Sequence, residues 1–537
     1  MFGRPILLCA GLLAAAIAAA WLRAETAPVQ VGMPHLAAGR FYAVEPSVTG
    51  GFFDLAIDAN SRYELIVSSL GDANRTHHVT LAAIPRTRVE SVPVVRPVAE
   101  IGGVRKLAAS LTSGDVSDGE RVAQHQPEAL ARKPVSTSSL AHRVGVQQRR
   151  FFLYVTADAL EDERGYVPVE GHLAGEGMCV RVYLDQSLRE SDLAPGLVGE
   201  MIRLLDEEII PRSRDLLGEH ADVDHDGKLA VLVTPWLGKL CGGRTSLKGF
   251  VRANDFQDNI AAPFGNHADV VYLNSSLELG PSLKTLLAHE YTHAVCFSRR
   301  LADPAREMPL APEEDWLNEA IAHVAENLHP ASSTASDTNP KRERGKGVIP
   351  ALRVGMAGDG KHDVGKTYLD WSNLDYRIAA LLNSPQTSPL VVRDYYRAGL
   401  WRDAGCRGAT YLFLRYCVDR FGEGLLRDLV DSPLVGRRNL ERATGIPFAE
   451  LFRRWTIALA EDQIASVRIH ERVGGCDLAG PVRIAWDPTA GPCEINLRGT
   501  SMSFVTLKHA GEPQALRLAA RGEPAAKLQV SVVRYSQ

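Results

Sequence analysis

Hydrophobic and polar residues alternate in the N-terminal part of the chain, and the alternation is absent from the segment that follows. From about residue 39 to 85 the pattern is alternating and rich in β-branched residues, with turns at Gly-Gly, Asn-Ser and Gly-Asp. Short alternating runs between turn residues predict an N-terminal β module over 36–100. The next stretch, 101–148, is rich in Ser, Asp, Gly, Gln and Lys without apolar periodicity, which predicts a linker or a propeptide-like segment.

The middle of the chain combines strand-like and helix-like patterns. Apolar residues follow helical spacing over 197–210, and Pro211 is expected to end or kink that helix. These patterns predict a mixed α/β subdomain over 149–300 and a helical subdomain over 301–465. A Ser/Thr/Pro-rich insert near 329–350 is predicted to be a disordered surface loop. The predicted strands of the α/β subdomain are 151–156, 180–184, 229–234 and 270–273.

Short strands between turns return over 472–537, which predicts a C-terminal β module. The sequence therefore predicts an α+β multi-domain protein, with a mixed core flanked by a small β module at each end. The 537 residues are 45% hydrophobic and 23% charged, which excludes collagen-like, coiled-coil and wholly disordered chains. The formal net charge of −4 gives no basic field of the kind that indicates a nucleic-acid partner.

The N-terminus has the pattern of a targeting segment. Arg4 precedes an uncharged apolar run from Ile6 to Leu22, and small residues follow at a candidate cleavage site. This pattern predicts a secretory signal peptide over 1–24, and hence a secreted or extracytoplasmic protein that meets the membrane only through this segment. The alternative is an uncleaved anchor helix, since the run is close to the roughly 20 apolar residues that span a bilayer.

A His-Glu-x-x-His motif, His289 to His293, lies in an apolar segment that Pro281 can begin as a helix. Residues four apart lie above one another on a helix face, so both imidazoles can face a single ion at the usual zinc–nitrogen distance. Glu290 directly follows the first histidine and can reach a water molecule on that ion. The motif therefore predicts a zinc site, which needs a third protein ligand if it is catalytic.

Glu319 is the candidate for that third ligand. It lies 26 residues beyond His293 in Asp-Trp-Leu-Asn-Glu, where apolar residues follow helical spacing, and this leaves chain for a short loop and a returning helix. His323, one helical turn later, is the rival ligand, a neighbour of the ligands, or a packed core histidine. A His₂Glu site with one open position suits amide hydrolysis, with Glu290 taking a proton from water and passing it to the leaving amine.

These residues resemble those of the gluzincin zinc metallopeptidases, which pair His-Glu-x-x-His with a glutamate on a later Asn-Glu helix. Within that class the chain is most similar to the hyicolysin-type secreted peptidases. The similarity rests on the motif at 289–293, on Trp-Leu-Asn-Glu at 316–319, and on the acidic run 222–228 before a strand. It covers about 151–463 and implies zinc between a mixed α/β subdomain and a helical subdomain.

The resemblance also implies roles for single residues. His289, His293 and Glu319 are expected to bind zinc, and Glu290 is expected to be the general acid/base. Thermolysin-like members carry an aspartate where this chain has His323. No histidine or tyrosine that stabilises the oxyanion is identified by motif. Three tyrosines lie in the appropriate half of the chain, and a structural role is expected for each: Tyr395, Tyr396 and Tyr411.

A second ion site is suggested by Asp222, Asp224 and Asp226 followed by Gly227, which match the opening of a calcium-binding loop. The twelfth position of such a loop falls on Val233, which excludes a complete EF-hand. The sequence leaves two interpretations, a partial Ca²⁺ site or an acidic turn before a strand.

The leading functional hypothesis is a secreted zinc metalloendopeptidase that acts on protein or peptide substrates. The first alternative is a non-catalytic secreted protein that binds surfaces through its β modules on a degenerate metallopeptidase scaffold. A third hypothesis is a zinc hydrolase of another amide, such as a peptidoglycan peptide. Metal content and the effect of removing the Glu290 carboxylate separate the first two hypotheses.

Overall fold

The structure, a computed structural model, describes nine segments of the 537-residue chain: 41–84, 147–156, 161–243, 246–302, 306–329, 373–393, 403–461, 480–509 and 514–536. The predicted signal peptide over 1–24 lies outside the described residues, as do nearly all of the linker over 101–148 and of the insert near 329–350. Within the described segments, no helix combines the length and the apolar character needed to cross a membrane. The protein is a mixed α+β, multi-domain structure with several sheets.

A six-stranded mixed sheet forms the α/β part, in the order β5-β6-β7-β8-β10-β9. Strands β7, β8 and β10 are parallel, whereas β5, β6 and β9 add antiparallel pairings at the two sides. The four strands predicted here are confirmed, with ends shifted by up to three residues. The strands are β5 (Gln148–Tyr154), β6 (Tyr166–Glu176), β7 (Val180–Asp185), β8 (Leu229–Thr234), β9 (Gly249–Phe250) and β10 (Val270–Asn274).

Strand β6 was not predicted, because Pro168 and two glycines interrupt its alternation. One of those glycines is required by packing. A Cβ atom on Gly171 would lie 2.9 Å from the Phe151 ring and 3.1 Å from Tyr183 Cβ on the two neighbouring strands. The composition that obscures β6 in the sequence therefore lets it fit between its neighbours.

The helices of the described residues are numbered here in chain order. They are α1 (Pro46–Thr49), α2 (Leu197–Arg203), α3 (Ile210–Leu217), the one-turn segment α4 (Leu240–Gly243), α5 (Pro281–Leu301), α6 (Asp315–Leu328), α7 (Asn373–Asn383), α8 (Ala404–Phe421), α9 (Gly424–Asp431), α10 (Gly436–Thr444) and α11 (Phe448–Ala460).

The helix that Pro211 was expected to end or kink instead continues past it. A π-helical turn, Leu204–Ile209, connects α2 to α3, and Pro211 lies in the first turn of α3. A proline there lacks the N–H that a regular α-helical ladder requires, and a π turn changes the spacing of that ladder. The chain therefore keeps one continuous helical path across the proline.

The two β segments at the chain ends pair with each other. One sheet has the order β1-β15-β3-β13-β11 and the other β12-β4-β14-β2. Strands from the two ends therefore alternate in both sheets, except that β13 and β11, both from the C-terminal segment, are neighbours. The two separate β modules expected from the sequence are thus joined in one β-sandwich, with the rest of the chain inserted between its halves. The strands are β1 (Phe41–Val44), β2 (Phe52–Ile57), β3 (Ser61–Ser69), β4 (Thr76–Ile84), β11 (Arg483–Trp486), β12 (Cys493–Arg498), β13 (Met502–Leu507), β14 (Gln514–Gly522) and β15 (Leu528–Ser536).

The sandwich is attached to the helical part through a buried carboxylate. Glu64 on β3 accepts hydrogen bonds from Arg483 Nε at 2.7 Å and from the Tyr535 hydroxyl at 2.8 Å. Arg483 also donates to the carbonyl of Ala460 at the end of α11, at 3.2 Å. Because the Glu64 side chain is fully buried, its charge needs these partners, and they tie the sandwich to the last helix.

We predict that single cavities in either half of the sandwich lower the stability of one shared folding unit. Leu65 on β3 and Leu497 on β12 are fully buried in the same core. Replacing either with Ala should lower the free energy of unfolding by about 2–5 kcal/mol, measured by chemical denaturation. Both variants should shift the same transition. The control is Ile484→Ala, at a 36% exposed side chain, and separate transitions for the two leucine variants would contradict a joint sandwich.

Candidate metal centre

Helix α5 places two histidines one above the other. It begins at Pro281, as the sequence predicted, and runs to Leu301. His289 and His293 are both buried, and their Nε2 atoms lie 3.2 Å apart. Two imidazole nitrogens at this distance require a proton or a cation between or beside them, since a pair of lone pairs would repel.

Helix α6 packs against α5 and brings in the carboxylate of Glu319. Its Oε1 lies 3.5 Å from His293 Nε2, and its Oε2 lies 3.7 Å from His289 Nε2. A tetrahedral ion with bonds near 2.0–2.1 Å holds its ligand atoms about 3.3–3.4 Å apart. The donor set and its spacing therefore fit one zinc-sized ion, and the three predicted ligands meet in space.

The protonation preferences of His289 and Glu319 also favour a metal ion. Burial, together with neighbouring His293, lowers the pKa of His289 well below its ordinary value. Burial raises the pKa of the Glu319 carboxyl, but the hydrogen bond from His293 and the nearby histidine charges outweigh it and hold that pKa well below its ordinary value. A neutral imidazole and an ionised carboxylate are the forms that bind metal ions.

Glu290 lies beside this group, between α5 and the sheet edge. It is 5% exposed, and burial raises the pKa of its carboxyl to about 7. Strand β9 passes close to it, since a Cβ atom on Gly249 would lie 3.0 Å from Glu290 Cγ and 3.1 Å from its Oε1. Glycine at this position therefore leaves room for the carboxylate next to the edge strand.

Glu326 is a site residue that the sequence analysis missed. Its Oε2 lies 3.0 Å from His289 Nδ1, the ring nitrogen that faces away from Glu319. A carboxylate in this position fixes the tautomer and the orientation of a metal-binding imidazole. Glu319 and Glu326 are seven residues apart on α6, two helical turns, so helical spacing was the signal that would have found it.

His323 lies between the two glutamates and is completely buried. Its Nδ1 lies 2.9 Å from Arg377 Nη1, and its Nε2 accepts from Arg407 Nε at 3.2 Å. The same nitrogens are 3.3 Å from Glu326 and 3.5 Å from Glu319. Because a neutral imidazole donates from one nitrogen and accepts at the other, His323 links a carboxylate to a guanidinium group.

A second group of potential ligand atoms comes from His289, His323 and Glu326. The guanidinium groups of Arg377 and Arg407 lie against His323 there, and two fixed cations disfavour a further ion. The geometry therefore favours Glu319 over His323 as the partner of the two motif histidines.

The tyrosines noted in the sequence divide into two cases. Tyr411 is 1% exposed, and its hydroxyl donates to the Asn327 side chain at 3.0 Å, which is a structural role. Tyr395 and Tyr396 lie outside the described residues.

The acidic loop keeps only part of the predicted calcium set together. Donor atoms of Asp222 and Asp224 lie within 4.8 Å of each other and of Asp269, a buried carboxylate that the sequence analysis did not name. Asp226 instead accepts a hydrogen bond from Arg181 at 2.6 Å.

Arginines from β5 and β7 already contact the carboxylates of this loop. Besides the contact of Arg181 with Asp226, Arg149 Nη1 lies 2.6 Å from Asp224 Oδ2. These pairs balance part of the negative charge that a calcium ion would otherwise balance. Calcium binding by Asp222, Asp224 and Asp226 stays a prediction.

Comparison with known proteins gives one partial similarity. The chain is 30% identical over 132 residues to "Neutral metalloprotease ShpI" of Staphylococcus hyicus, and the match covers 23% of this chain. It spans 29% of the length of that curated relative. No family model matches the chain. The similarity is therefore to part of a metalloprotease, and the histidine–glutamate group is a candidate site for a divalent metal ion.

We predict that Glu326→Ala weakens metal binding without removing any of the three predicted ligands. Losing the acceptor for His289 Nδ1 should lower zinc affinity about 10–100-fold, measured by competition with a chromogenic chelator. The matched control is Glu207→Ala, which removes a 64% exposed glutamate side chain from the α2–α3 path. Zinc affinity within about threefold of the original protein would show that Glu326 does not orient His289.

Proposed function

We propose that the protein is an exported zinc metalloendopeptidase of the gluzincin class, similar to the hyicolysin-type peptidases. The observation that supports this most is the meeting of His289, His293 and Glu319 at 3.2–3.7 Å, with Glu290 next in the chain to the first histidine. The partial similarity to a neutral metalloprotease agrees with it. Export rests on the predicted signal peptide over 1–24.

His289, His293 and Glu319 would hold the zinc ion, which supplies Lewis-acid polarisation of the carbonyl and a more acidic water molecule. Glu290 then acts as the proton carrier. It takes a proton from water as the water oxygen attacks the carbonyl carbon, and it delivers that proton to the nitrogen of the leaving amine. A carboxyl whose pKa is raised to about 7 by burial suits both transfers near neutral pH.

The edge strand supports a peptide as the substrate. Strand β9 ends the order of the six-stranded sheet among the described residues, and Gly249 on it lies against Glu290. An extended peptide can add to such an edge through backbone hydrogen bonds, which do not depend on its side chains. This pairing would bring the amide bonds of the peptide close to the Glu290 carboxylate. Internal peptide bonds of proteins are therefore the proposed substrate.

We predict that Glu290→Gln abolishes peptide hydrolysis while the protein keeps its zinc. Removing the proton acceptor should lower kcat by at least about 10²–10⁴-fold, because glutamine cannot accept the proton from water. The measurements are casein hydrolysis, with and without chelator, and metal content of the purified protein. The control, Glu278→Gln, changes an exposed glutamate just before α5.

Chelator-sensitive hydrolysis lost only in the Glu290 variant supports the peptidase. Absence of hydrolysis in zinc-loaded original protein would favour the alternative, a non-catalytic surface-binding protein. Hydrolysis of peptidoglycan peptides but not of casein would favour the third hypothesis.

We predict that Gly249→Ala lowers turnover through Glu290. The new methyl group would lie about 3.0 Å from Glu290 Cγ, so the carboxylate must move. A small displacement of a reacting group should lower kcat by about 10–100-fold at unchanged zinc content. Gly199→Ala on α2, where an added Cβ meets nothing within 4 Å, is the control. Unchanged kcat in Gly249→Ala would separate β9 from the site.

A further inference from the structure

A guanidinium group lies directly beside the predicted metal ligands. Arg407 is in the first turn of α8, where the Asp403 side chain caps the helix by accepting from Cys406 N. Its Nη2 lies 4.0 Å from Glu319 Oε2, and its Nε donates to His323 Nε2 at 3.2 Å. Two contacts therefore hold this cation next to the carboxylate that completes the predicted ligand set.

Arg407 differs from its neighbour Arg377 in its access to solvent. The Arg377 side chain is 7% exposed and is directed at His323 and Glu326. The Arg407 side chain is 25% exposed. Among the described residues, its Nη1 and Nη2 have no hydrogen-bond acceptor, so these donors are open to a ligand at the site.

Through Glu319, Arg407 is close to both histidines of α5. The Glu319 carboxylate oxygens lie 3.7 Å from His289 Nε2 and 3.5 Å from His293 Nε2, and Arg407 Nη2 lies 4.0 Å from Glu319 Oε2. The packing of α8 thus brings this guanidinium group to the predicted ligand set from a distant part of the chain.

The proposed reaction creates a negative charge on the carbonyl oxygen of the substrate. As water oxygen bonds to the carbonyl carbon, the π electrons of the C=O bond move to the carbonyl oxygen, while one water proton goes to Glu290. When the C–N bond breaks, those electrons re-form the C=O bond, and the proton reaches the amine. A fixed donor at the carbonyl oxygen stabilises this charge more than the uncharged substrate.

We propose that Arg407 is a catalytic residue that donates hydrogen bonds to the carbonyl oxygen under attack. The proposal rests on the proposed peptidase function. It fits a guanidinium group, which stays charged at every relevant pH and carries several donors in one plane. With Nε held by His323, the Nη atoms keep a fixed direction. The role that the sequence analysis sought in a histidine or tyrosine is thereby assigned to an arginine.

The test compares Arg407→Gln and Arg407→Lys with the original protein in its zinc-loaded form. The control is Arg420→Gln, which removes an exposed arginine from the same helix about 20 Å away. Four quantities are measured for each: zinc content, kcat, KM, and the calorimetric affinity for a phosphinic tripeptide. The phosphinate oxygen copies the charge and shape of the attacked carbonyl and requires no turnover.

Arg407→Gln is expected to lower kcat about 10²–10³-fold with KM changed less than about threefold. Its affinity for the phosphinic tripeptide should fall by a similar factor, while zinc stays at one ion per chain. Arg407→Lys should recover about tenfold of each loss because it restores the charge without the planar donors. Arg420→Gln should match the original protein.

Three results would overturn the proposal. The first is a Gln variant with kcat and phosphinate affinity within about threefold of the original protein. The second is loss of zinc from that variant, which would make Arg407 a positioning residue for Glu319 and His323. The third is failure of the original protein to bind the phosphinic tripeptide. If the original protein shows no hydrolysis, the peptidase function itself has failed. The comparison of phosphinic tripeptide affinity between Arg407→Gln and the original protein then tests the role of Arg407 separately.

Discussion

The packing of helices α5 and α6 is the constraint on which the site depends. It brings two imidazoles and one carboxylate, all buried, to within 3.7 Å of one another. Burying such groups costs free energy unless each finds a partner, and here the strongest common partner is a cation. Without a metal ion a proton takes that place, since contact with Glu319 raises the pKa of His293 despite burial. A divalent ion satisfies all three groups at once.

Charged residues surround the three predicted ligands and fix the orientation of their side chains. Glu326 holds the second nitrogen of His289, and His323 joins Glu326 and Glu319 to the guanidinium groups of α7 and α8. The apolar residues of α5, α6 and α8 belong to one core, which keeps these side chains in register. The β-sandwich packs against the same helical part, where Thr500 accepts hydrogen bonds from the backbone N–H groups of Leu390 and Val391. The β-sandwich thus contacts the part of the chain that contains the predicted metal centre.

Local sequence patterns identified the site residues that can be recognised from spacing within a single helix. His289 and His293 are one turn apart, and Glu319 follows from the helical spacing around it, so their elements were correctly predicted. Glu326 was within reach of the same reasoning. Arg407 was not, because its place beside Glu319 depends on how α8 packs. The pairing of the terminal β segments could not be predicted for the same reason. Alternation of hydrophobic and polar residues indicates that a strand is present, but it does not identify the strand with which it pairs.

The most direct test of the predicted metal centre is an anomalous difference map, recorded at the zinc absorption edge from crystals of the zinc-loaded protein. We expect one strong peak about 2.0–2.2 Å from His289 Nε2, His293 Nε2 and an oxygen of Glu319. A zinc peak held by other residues, or a Glu319 side chain turned away from the ion, would contradict it.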